Sequence, residues 1–260
     1  MTGTNVDSKV IFLHIPKTAG QTIHTELTRI YGKKWVSPVR VHTQAGPGIG
    51  QLPPGYKVYS GHIDWDALES VPEPRFVFTV LRDPLERIAS FYFYLRRQAK
   101  DLTPSELSDP SRIGMKMALE NSPDEYFFGG TPDWQRFVRD HYHSPYCSYL
   151  VTRHIRGYSH ISNISQEDVV ALALRSASKL SGVYSVDGLA YLEKDLKNKL
   201  NIDVNLTGTF VNADPNGKNS LRWPRLVEMV EKPETLEGLK KFAAADQELM
   251  SKLGLVPGTR

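Results

Sequence analysis

The stretch Val10-Ile-Phe-Leu-His-Ile-Pro-Lys-Thr-Ala-Gly-Gln-Thr22 decides the fold of this chain. An apolar run ends within it and a segment compatible with a helix follows, which is the pattern of a strand, a tight turn and a helix. The first N–H groups of such a helix face an anion, and the helix dipole and threonine hydroxyls favour it further. We therefore predict an anion-binding turn formed by Lys17, Thr18, Ala19, Gly20, Gln21 and Thr22.

This turn differs from the Walker A loop of ATP-hydrolysing proteins. The pattern G-x-x-x-x-G-K-[ST] does not occur around it, and Lys17 precedes Gly20 instead of following a glycine. ATP hydrolysis is therefore disfavoured as the activity of this chain.

Length, charge and cysteine content narrow the class of protein. The 260 residues are 40% hydrophobic and can bury the core of one α/β domain spanning 1–260. The net charge of +3 is too small to indicate a nucleic-acid partner but suits an anionic ligand. Cys147 is the only cysteine, and its neighbours carry no cation that would activate it. With no signal-like or membrane-spanning segment, the sequence predicts a cytoplasmic protein, and it says nothing about oligomeric state.

Strands and helices alternate along most of the chain. Hydrophobic patterns predict strands at Lys9–Ile15, Lys57–Ser60, Arg75–Leu81 and Leu180–Tyr184, with helices between or after them. This alternation predicts an α/β fold with a mainly parallel central sheet flanked by helices. Pro- and Gly-rich residues 35–55 are predicted to form a surface loop.

Ligands of parallel sheets bind beyond the carboxyl ends of the strands. The turn at Lys17 follows the first predicted strand, His62 follows the second, and Arg82 follows the third. Ser90 lies in the second turn of the helix predicted after Arg82, so both side chains could reach one phosphate. The sequence therefore predicts two anion sites at one sheet edge, with a histidine between them.

Two segments resemble the sulfotransferase superfamily. His14-Ile-Pro-Lys-Thr-Ala-Gly-Gln-Thr22 is similar to its 5′-phosphosulfate loop, and Leu81-Arg-Asp-Pro-Leu-Glu-Arg-Ile-Ala-Ser-Phe-Tyr92 is similar to its 3′-phosphate motif. Tyr59-Ser-Gly-His62 resembles the element that carries the proposed base in the uronyl 2-O-sulfotransferases, which include the heparan sulfate enzyme. The first histidine of that element is Ser60 here.

The resemblance implies a P-loop-related three-layer fold and transfer of a sulfuryl group from 3′-phosphoadenosine 5′-phosphosulfate (PAPS) to a hydroxyl group. It further implies that His62 is the general base and Lys17 a catalytic cation, that Arg82 and Ser90 bind the 3′-phosphate, and that no metal takes part. Asn216-Gly-Lys-Asn-Ser220 resembles a late basic loop over the nucleotide, in which Lys218 would contact the ligand. The product would be adenosine 3′,5′-bisphosphate.

The acceptor and two other functions stay open. A carbohydrate, a glycolipid precursor or a small metabolite could supply the hydroxyl group, and residues 35–55 and 98–162 are predicted to shape its pocket. A P-loop kinase or other phosphotransferase would use the same strand, turn and helix. A non-catalytic module that binds nucleotides or glycans would use the same anion sites.

Overall fold

A four-stranded parallel sheet places the strand ends named above side by side. The computed structural model describes residues 8–208 and 221–255. Within these, the sheet has the order β2-β1-β3-β4, with β1 at Lys9–Leu13, β2 at Val58–Gly61, β3 at Arg75–Leu81 and β4 at Gly182–Ser185. The register pairs Leu13 with Gly61 and Leu81 with Ser185, so the strands end at one sheet edge.

Both faces of the sheet are covered, as the continuous apolar runs of its strands require. Val10 and Phe12 pack with α1 (Gly20–Tyr31) and α10 (Leu189–Leu200). Ile11 and Leu13 point to the opposite face and pack with residues of α7 (Pro145–Thr152), α9 (Gln166–Ala177) and α12 (Pro233–Lys252). The predicted three-layer α/β architecture with a parallel sheet is confirmed.

A further group of helices packs around α2 (Pro84–Lys100). Asp83 caps this helix by accepting a hydrogen bond from the Glu86 N–H at 2.8 Å, and proline stands in its first turn. Buried aromatic side chains join α2 to its neighbours. The remaining helices of the described residues are α3 (Pro104–Leu107), α4 (Ile113–Glu120), α5 (Pro123–Phe128), α6 (Pro132–Tyr142), α8 (Tyr158–Ile161) and α11 (Arg222–Val227).

The segment of residues 35–55 has no α-helix or strand and is largely exposed or half-buried, as the prediction of a surface loop requires, but parts of it pack against the sheet. Val36 and Val41 form parallel bridges with Val58 and His62, and Leu52 is buried. The Gln51 side chain donates to three backbone carbonyls of the segment at 2.9–3.0 Å. These long-range contacts hold the segment along the free edge of β2, next to the end of that strand.

A buried carboxylate fixes α7 against α12. Asp246 is fully buried and accepts hydrogen bonds from the backbone N–H groups of Tyr146 and Cys147 at 3.1 and 2.9 Å. It therefore satisfies two N–H groups that the first turn of a helix leaves unpaired. Burial raises the pKa of Asp246 to about 6, although these two hydrogen bonds favour the carboxylate form.

We predict that Asp246→Ala lowers the free energy of unfolding by about 3 kcal/mol, because it leaves two buried N–H groups without an acceptor. Denaturant titration followed by circular dichroism measures the change. Gln247→Ala, at the exposed neighbouring position of the same helix, is the matched control. A loss no larger for Asp246→Ala than for Gln247→Ala would contradict the assigned role.

Candidate functional site

A cavity of about 1110 Å³ lies where the carboxyl ends of the strands meet. Its walls come from the turn after β1, the ends of β2 and β3, the helix α2 and residues 40–43 of the edge segment. Most of the residues predicted from the sequence share this cavity, namely Lys17, Ala19, Gly20, Gln21, Thr22, His62, Arg82 and Ser90. Thr18 does not line it, and Lys218 lies outside the described residues.

The turn after β1 presents helix N–H groups to the cavity. Lys17 and Ala19 adopt left-handed backbone conformations, with φ of 74° and 63°, and α1 begins directly afterwards. No side chain among the described residues caps α1, and its first turn contains no acidic residue. The first N–H groups of the helix are therefore available to an anion.

The hydroxyl of Thr18 serves the turn itself. It is buried and donates to the carbonyl of Ile15 at 2.8 Å, so the expectation that it would donate to a ligand was wrong. A hydroxyl group can donate one hydrogen bond, and the hydroxyl of Thr18 uses it to close the turn. Thr22 lines the cavity and is the threonine placed to meet a ligand.

Among the residues that the structure describes, no carboxylate forms a salt bridge with the ammonium group of Lys17. Its Nζ lies 4.0 Å from the centre of the Tyr94 ring. Burial is the largest of the causes that lower the pKa of Lys17 to about 7, and the charges of Arg97, Arg222 and Arg82 contribute to the same shift. A bound anion would raise the pKa of Lys17 again, because its negative charge would offset the burial and the repulsion from neighbouring cations.

Arg82 and Ser90 meet at the second predicted anion site. Arg82 Nη1 lies 3.4 Å from Ser90 Oγ, and Arg82 Nη2 lies 3.4 Å from a Glu86 oxygen. The Tyr146 hydroxyl donates to the Arg82 carbonyl at 2.8 Å and accepts from the Arg82 N–H at 3.2 Å. The arginine and serine therefore share one wall, and the backbone of Arg82 is clamped from behind.

Glu86 connects this wall to α11. Its carboxylate accepts from the backbone N–H groups of Arg222 and Trp223 at 3.0 and 2.7 Å, at the start of α11. Glu86 thus caps α11 as well as contacting Arg82. Because its carboxylate is shared with two backbone N–H groups, it holds the Arg82 guanidinium less tightly.

Arg87 is a site residue that sequence reasoning missed. It is fully buried, and it donates from Nε to the Pro16 carbonyl at 3.0 Å and from Nη1 to the His141 carbonyl at 2.7 Å. It therefore ties the anion turn to the end of α6. The sequence offered one indication of its role, because Arg87 stands three residues before Ser90 and therefore lies on the same face of α2.

His62 is oriented by the turn. Its Nδ1 lies 2.9 Å from the carbonyl oxygen of His14, which can only accept, so Nδ1 carries the proton and Nε2 carries the lone pair. The two imidazole rings lie 4.1 Å apart between centroids. A Cβ at Gly20 would come 1.7 Å from the His14 ring, so only glycine leaves room for it.

The pKa of His62 lies below the ordinary value of a histidine. Burial is the largest of the causes that lower the pKa of His62 to about 4, and the charges of Arg40 and Arg87 contribute to the same shift. The imidazole is therefore neutral at pH 7 and able to accept a proton, but it is a weak base while the cavity holds no negative ligand.

Positive charge is concentrated on the cavity wall. The cations are Lys17, Arg40, Arg82, Arg87, Arg97, Arg156 and Arg222, and the lining carboxylates are Asp140 and Asp187. The excess of cations over carboxylates in the cavity is larger than the net charge of +3 for the whole chain. Arg97 is an exposed residue of α2 that also lines the cavity, together with Phe93 and Tyr94.

A protein-family model described as the sulfotransferase family matches residues 3–169. The chain belongs to the sulfotransferase family. The match spans both anion motifs and His62 and ends within α9, so β4, α10 and α12 lie beyond it. This sulfotransferase matches no curated protein significantly. The finer resemblance to the uronyl 2-O-sulfotransferases stays a prediction.

The described residues, 8–208 and 221–255, bear on metal binding and on membrane insertion. No group of three or more His, Cys, Asp or Glu side chains there could hold a metal ion. None of the helices there has the length and apolar character needed to cross a bilayer. Cys147 is buried, and burial together with Asp246 raises the pKa of its thiol far above the ordinary value, which makes it unreactive.

We predict that Lys17 reacts with amine-directed reagents half-maximally near pH 7, because its lowered pKa leaves much of it neutral there. Pulse labelling with acetic anhydride across pH 5–10, read by peptide mass spectrometry, measures the titration. The exposed Lys241 of α12 is the internal reference. A Lys17 profile that coincides with that of Lys241 would contradict the assigned environment.

Proposed function

We propose that this sulfotransferase moves the sulfuryl group of 3′-phosphoadenosine 5′-phosphosulfate to a hydroxyl group, with His62 as general base. The observation that carries the proposal is the shared cavity of the Lys17 turn, the Arg82 and Ser90 pair, and His62. Two separate anion sites suit a donor with phosphate at both ends, and the family supplies the reaction class.

Each step of the proposed sulfuryl transfer can be assigned to a group that lines the cavity. The acceptor oxygen attacks sulfur in line, and its proton passes to Nε2 of His62, the nitrogen that carries the lone pair. The bond between sulfur and the bridging oxygen breaks, and its electron pair stays on the 5′-phosphate of the leaving nucleotide. Lys17 and the first N–H groups of α1 would stabilise that growing charge. His62 would supply about 10²–10⁴-fold of the rate.

Arg82 and Ser90 would hold the 3′-phosphate. A guanidinium offers two parallel donors to a phosphate, and a serine hydroxyl adds a third. Their 3.4 Å separation allows both to contact one phosphate group, and Glu86 is already engaged by two backbone N–H groups. Thr18 would contribute through its backbone alone. Lys218, outside the described residues, would close over the nucleotide as the family resemblance implies.

We predict selective, metal-free binding of adenosine 3′,5′-bisphosphate over ADP and ATP, because only the bisphosphate occupies both anion sites. Calorimetry in EDTA on wild type, Lys17→Ala and Arg82→Ala measures it, and each substitution should weaken binding by about tenfold or more. Arg175→Ala and Lys241→Ala, both at exposed positions, are the controls. Preferential binding of ATP would instead favour a kinase or another phosphotransferase.

We predict that His62→Ala lowers kcat by about 100-fold or more while the affinity for the bisphosphate stays within about threefold, because the base acts on the acceptor. His160→Ala, at an exposed position of α8, is the control. Assays need a panel of hydroxylated acceptors and radiolabelled donor. Unchanged turnover in His62→Ala would exclude this base, and tight bisphosphate binding with no transfer would favour a non-catalytic module.

The two lowered pKa values set the expected pH profile of kcat/KM, which reports on the free enzyme. His62 must be neutral, so activity should fall as the pH drops toward its pKa of about 4. Lys17 must be charged, so activity should also fall as the pH rises through about 7. Lys17→Arg should remove the alkaline decline, because a guanidinium stays protonated. An alkaline limb unchanged in Lys17→Arg would assign it to another group.

A further inference from the structure

The backbone ladder of the sheet does not by itself fix the distance between Arg82 and His62. The strands β2 and β3 lie on opposite sides of β1. The pairs between β1 and β3 end at Phe78, and those between β1 and β2 end at Gly61. Neighbouring strands are about 4.8 Å apart, so about 10 Å separates the end of β2 from the end of β3. Arg82 and His62 both follow the last residue that pairs with β1, and another element must hold them in register.

The helix α7 contacts both strand ends through two tyrosines on one of its faces. Tyr146 and Tyr149 are three residues apart, which places them on the same side of the helix. The Tyr146 hydroxyl donates to the Arg82 carbonyl at 2.8 Å, and the Tyr149 hydroxyl donates to the Ile63 carbonyl at 2.7 Å. Ile63 follows His62 directly in the chain. One helix therefore touches the backbone at the predicted donor site and at the predicted base.

The hydroxyl protons of these tyrosines are used by the backbone. Both side chains are fully buried, and burial raises the pKa of each phenol, so both stay protonated. A hydroxyl group can donate one hydrogen bond. Tyr149 lines the cavity, but its proton already goes to the Ile63 carbonyl and is not available to a ligand. We therefore assign the effect of the Tyr149 hydroxyl to the backbone beside the base.

Contacts in the opposite direction hold residues 63–65 to the same helix. The indole N–H of Trp65 donates to the Tyr149 carbonyl at 3.2 Å, and the backbone N–H of Trp65 donates to the Arg153 carbonyl at 2.9 Å. The guanidinium carbon of Arg153 lies 4.7 Å from the centre of the Trp65 ring. The segment after the base is thus held to the end of α7 at several points.

The position of α7 is fixed by contacts outside the cavity. Asp246 of α12 accepts hydrogen bonds from two backbone N–H groups at the start of α7. Leu150 of α7 and Val170 of α9 belong to one buried cluster with Ile11 and Leu13 of β1. Protein interiors are close-packed and have low compressibility, so a helix anchored in this way transmits its position to the groups that it contacts.

We propose that α7 sets the separation between the donor site and the base, with Tyr149 as a positioning residue for His62 and Tyr146 as its counterpart for Arg82. This rests on the proposed function, because the transfer requires both sites to be in register with one donor molecule. A donor held by its 3′-phosphate delivers its sulfuryl group at a fixed distance from Arg82, and the acceptor oxygen must meet that group and the base together. A displacement of about 1 Å can lower a rate by about 100-fold.

The first test compares Tyr149→Phe and Tyr146→Phe with the control Tyr126→Phe, each of which removes one buried hydroxyl. The Tyr126 hydroxyl lies 2.8 Å from that of Tyr142, and neither residue lines the cavity. We expect Tyr149→Phe to lower kcat at saturating donor by about tenfold or more, and to change the affinity for adenosine 3′,5′-bisphosphate by less than about twofold. Tyr146→Phe should weaken bisphosphate binding by about fivefold or more, because Arg82 loses its alignment, and should change that kcat by less than about threefold.

Trp65→Phe removes the opposite contact, from the indole to the Tyr149 carbonyl, and should reproduce the kcat loss of Tyr149→Phe with bisphosphate affinity kept. It tests the proposal independently if Tyr149→Phe does not fold. Parallel losses of kcat and of affinity in Tyr149→Phe and Tyr146→Phe would overturn the proposal. So would an effect of Tyr149→Phe no larger than that of Tyr126→Phe.

The second test requires neither a donor nor an acceptor. Long-range proton–nitrogen correlation spectra of isotope-labelled histidine rings at neutral pH report the tautomer of His62, whose signals are identified by their loss in His62→Ala. In the wild type we expect one tautomer, protonated at Nδ1. In Tyr149→Phe we expect an average of both tautomers, because the end of β2 is released from the His14 carbonyl, whereas Tyr146→Phe should leave the signals unchanged. One unchanged tautomer in Tyr149→Phe would overturn the proposal.

The two tests separate the role of α7 from the proposed function. If no acceptor is sulfated, or if the bisphosphate does not bind, the proposed function fails, and the His62 spectra still decide whether Tyr149 positions that ring. If transfer occurs but neither kcat nor the tautomer responds to Tyr149→Phe, the function stands and the role of α7 is overturned.

Discussion

The buried guanidinium of Arg87 is the contact on which the site depends. It joins the carbonyl of Pro16, in the turn after β1, to the carbonyl of His141, at the end of α6. The sheet carries the turn, His62 and, directly after β3, Arg82, whereas α2 carries Ser90. A buried charge of this kind is costly unless hydrogen bonds and opposite charge compensate it. Backbone carbonyls supply part of that compensation, and an anionic ligand in the cavity would supply more.

Mutual repulsion among the cations of the cavity is a second constraint. Burial and the neighbouring arginines hold the pKa of Lys17 near 7, whereas burial alone lowers the pKa of Arg40 and Arg87. Part of the folding free energy therefore keeps these charges together in the absence of a ligand. A polyanion that binds the folded state alone returns this energy and stabilises the fold by mass action. The architecture is thus matched to ligands that carry several negative charges.

Much of this arrangement follows from local sequence patterns. The bounds of α1 and β3 agree with the hydrophobic periodicity, and the parallel topology explains why Lys17, His62 and Arg82 reach one cavity. Local patterns say nothing of contacts made between distant residues, because those depend on how the elements pack. Arg87 bonds a carbonyl 54 positions away, and the bridge of Val41 to His62 turns an apparent loop into part of the sheet edge.

The two threonines of the turn after β1 show that local sequence patterns are insufficient even within a single turn. Thr18 and Thr22 look equivalent in sequence, yet Thr18 donates to the Ile15 carbonyl and Thr22 lines the cavity. Lys17 and Ala19, on either side of Thr18, have left-handed backbone conformations, so Thr18 stands within the turn while Thr22 stands in the helix that follows. A pattern of residue types can therefore place an anion site, but the backbone geometry decides which hydroxyl meets the ligand.

Ligand charge links binding to the chemistry of the base. In the unliganded protein His62 is neutral with a fixed tautomer, and burial and neighbouring cations hold its pKa near 4. Each negative charge that enters the cavity opposes those cations and raises the affinity of both His62 and Lys17 for protons. The base becomes stronger and the ammonium group more fully charged in the same step. In the proposed reaction, the loaded complex would therefore supply the protonation states that the transfer needs, and His62 would act as the proposed base only after the ligands have bound.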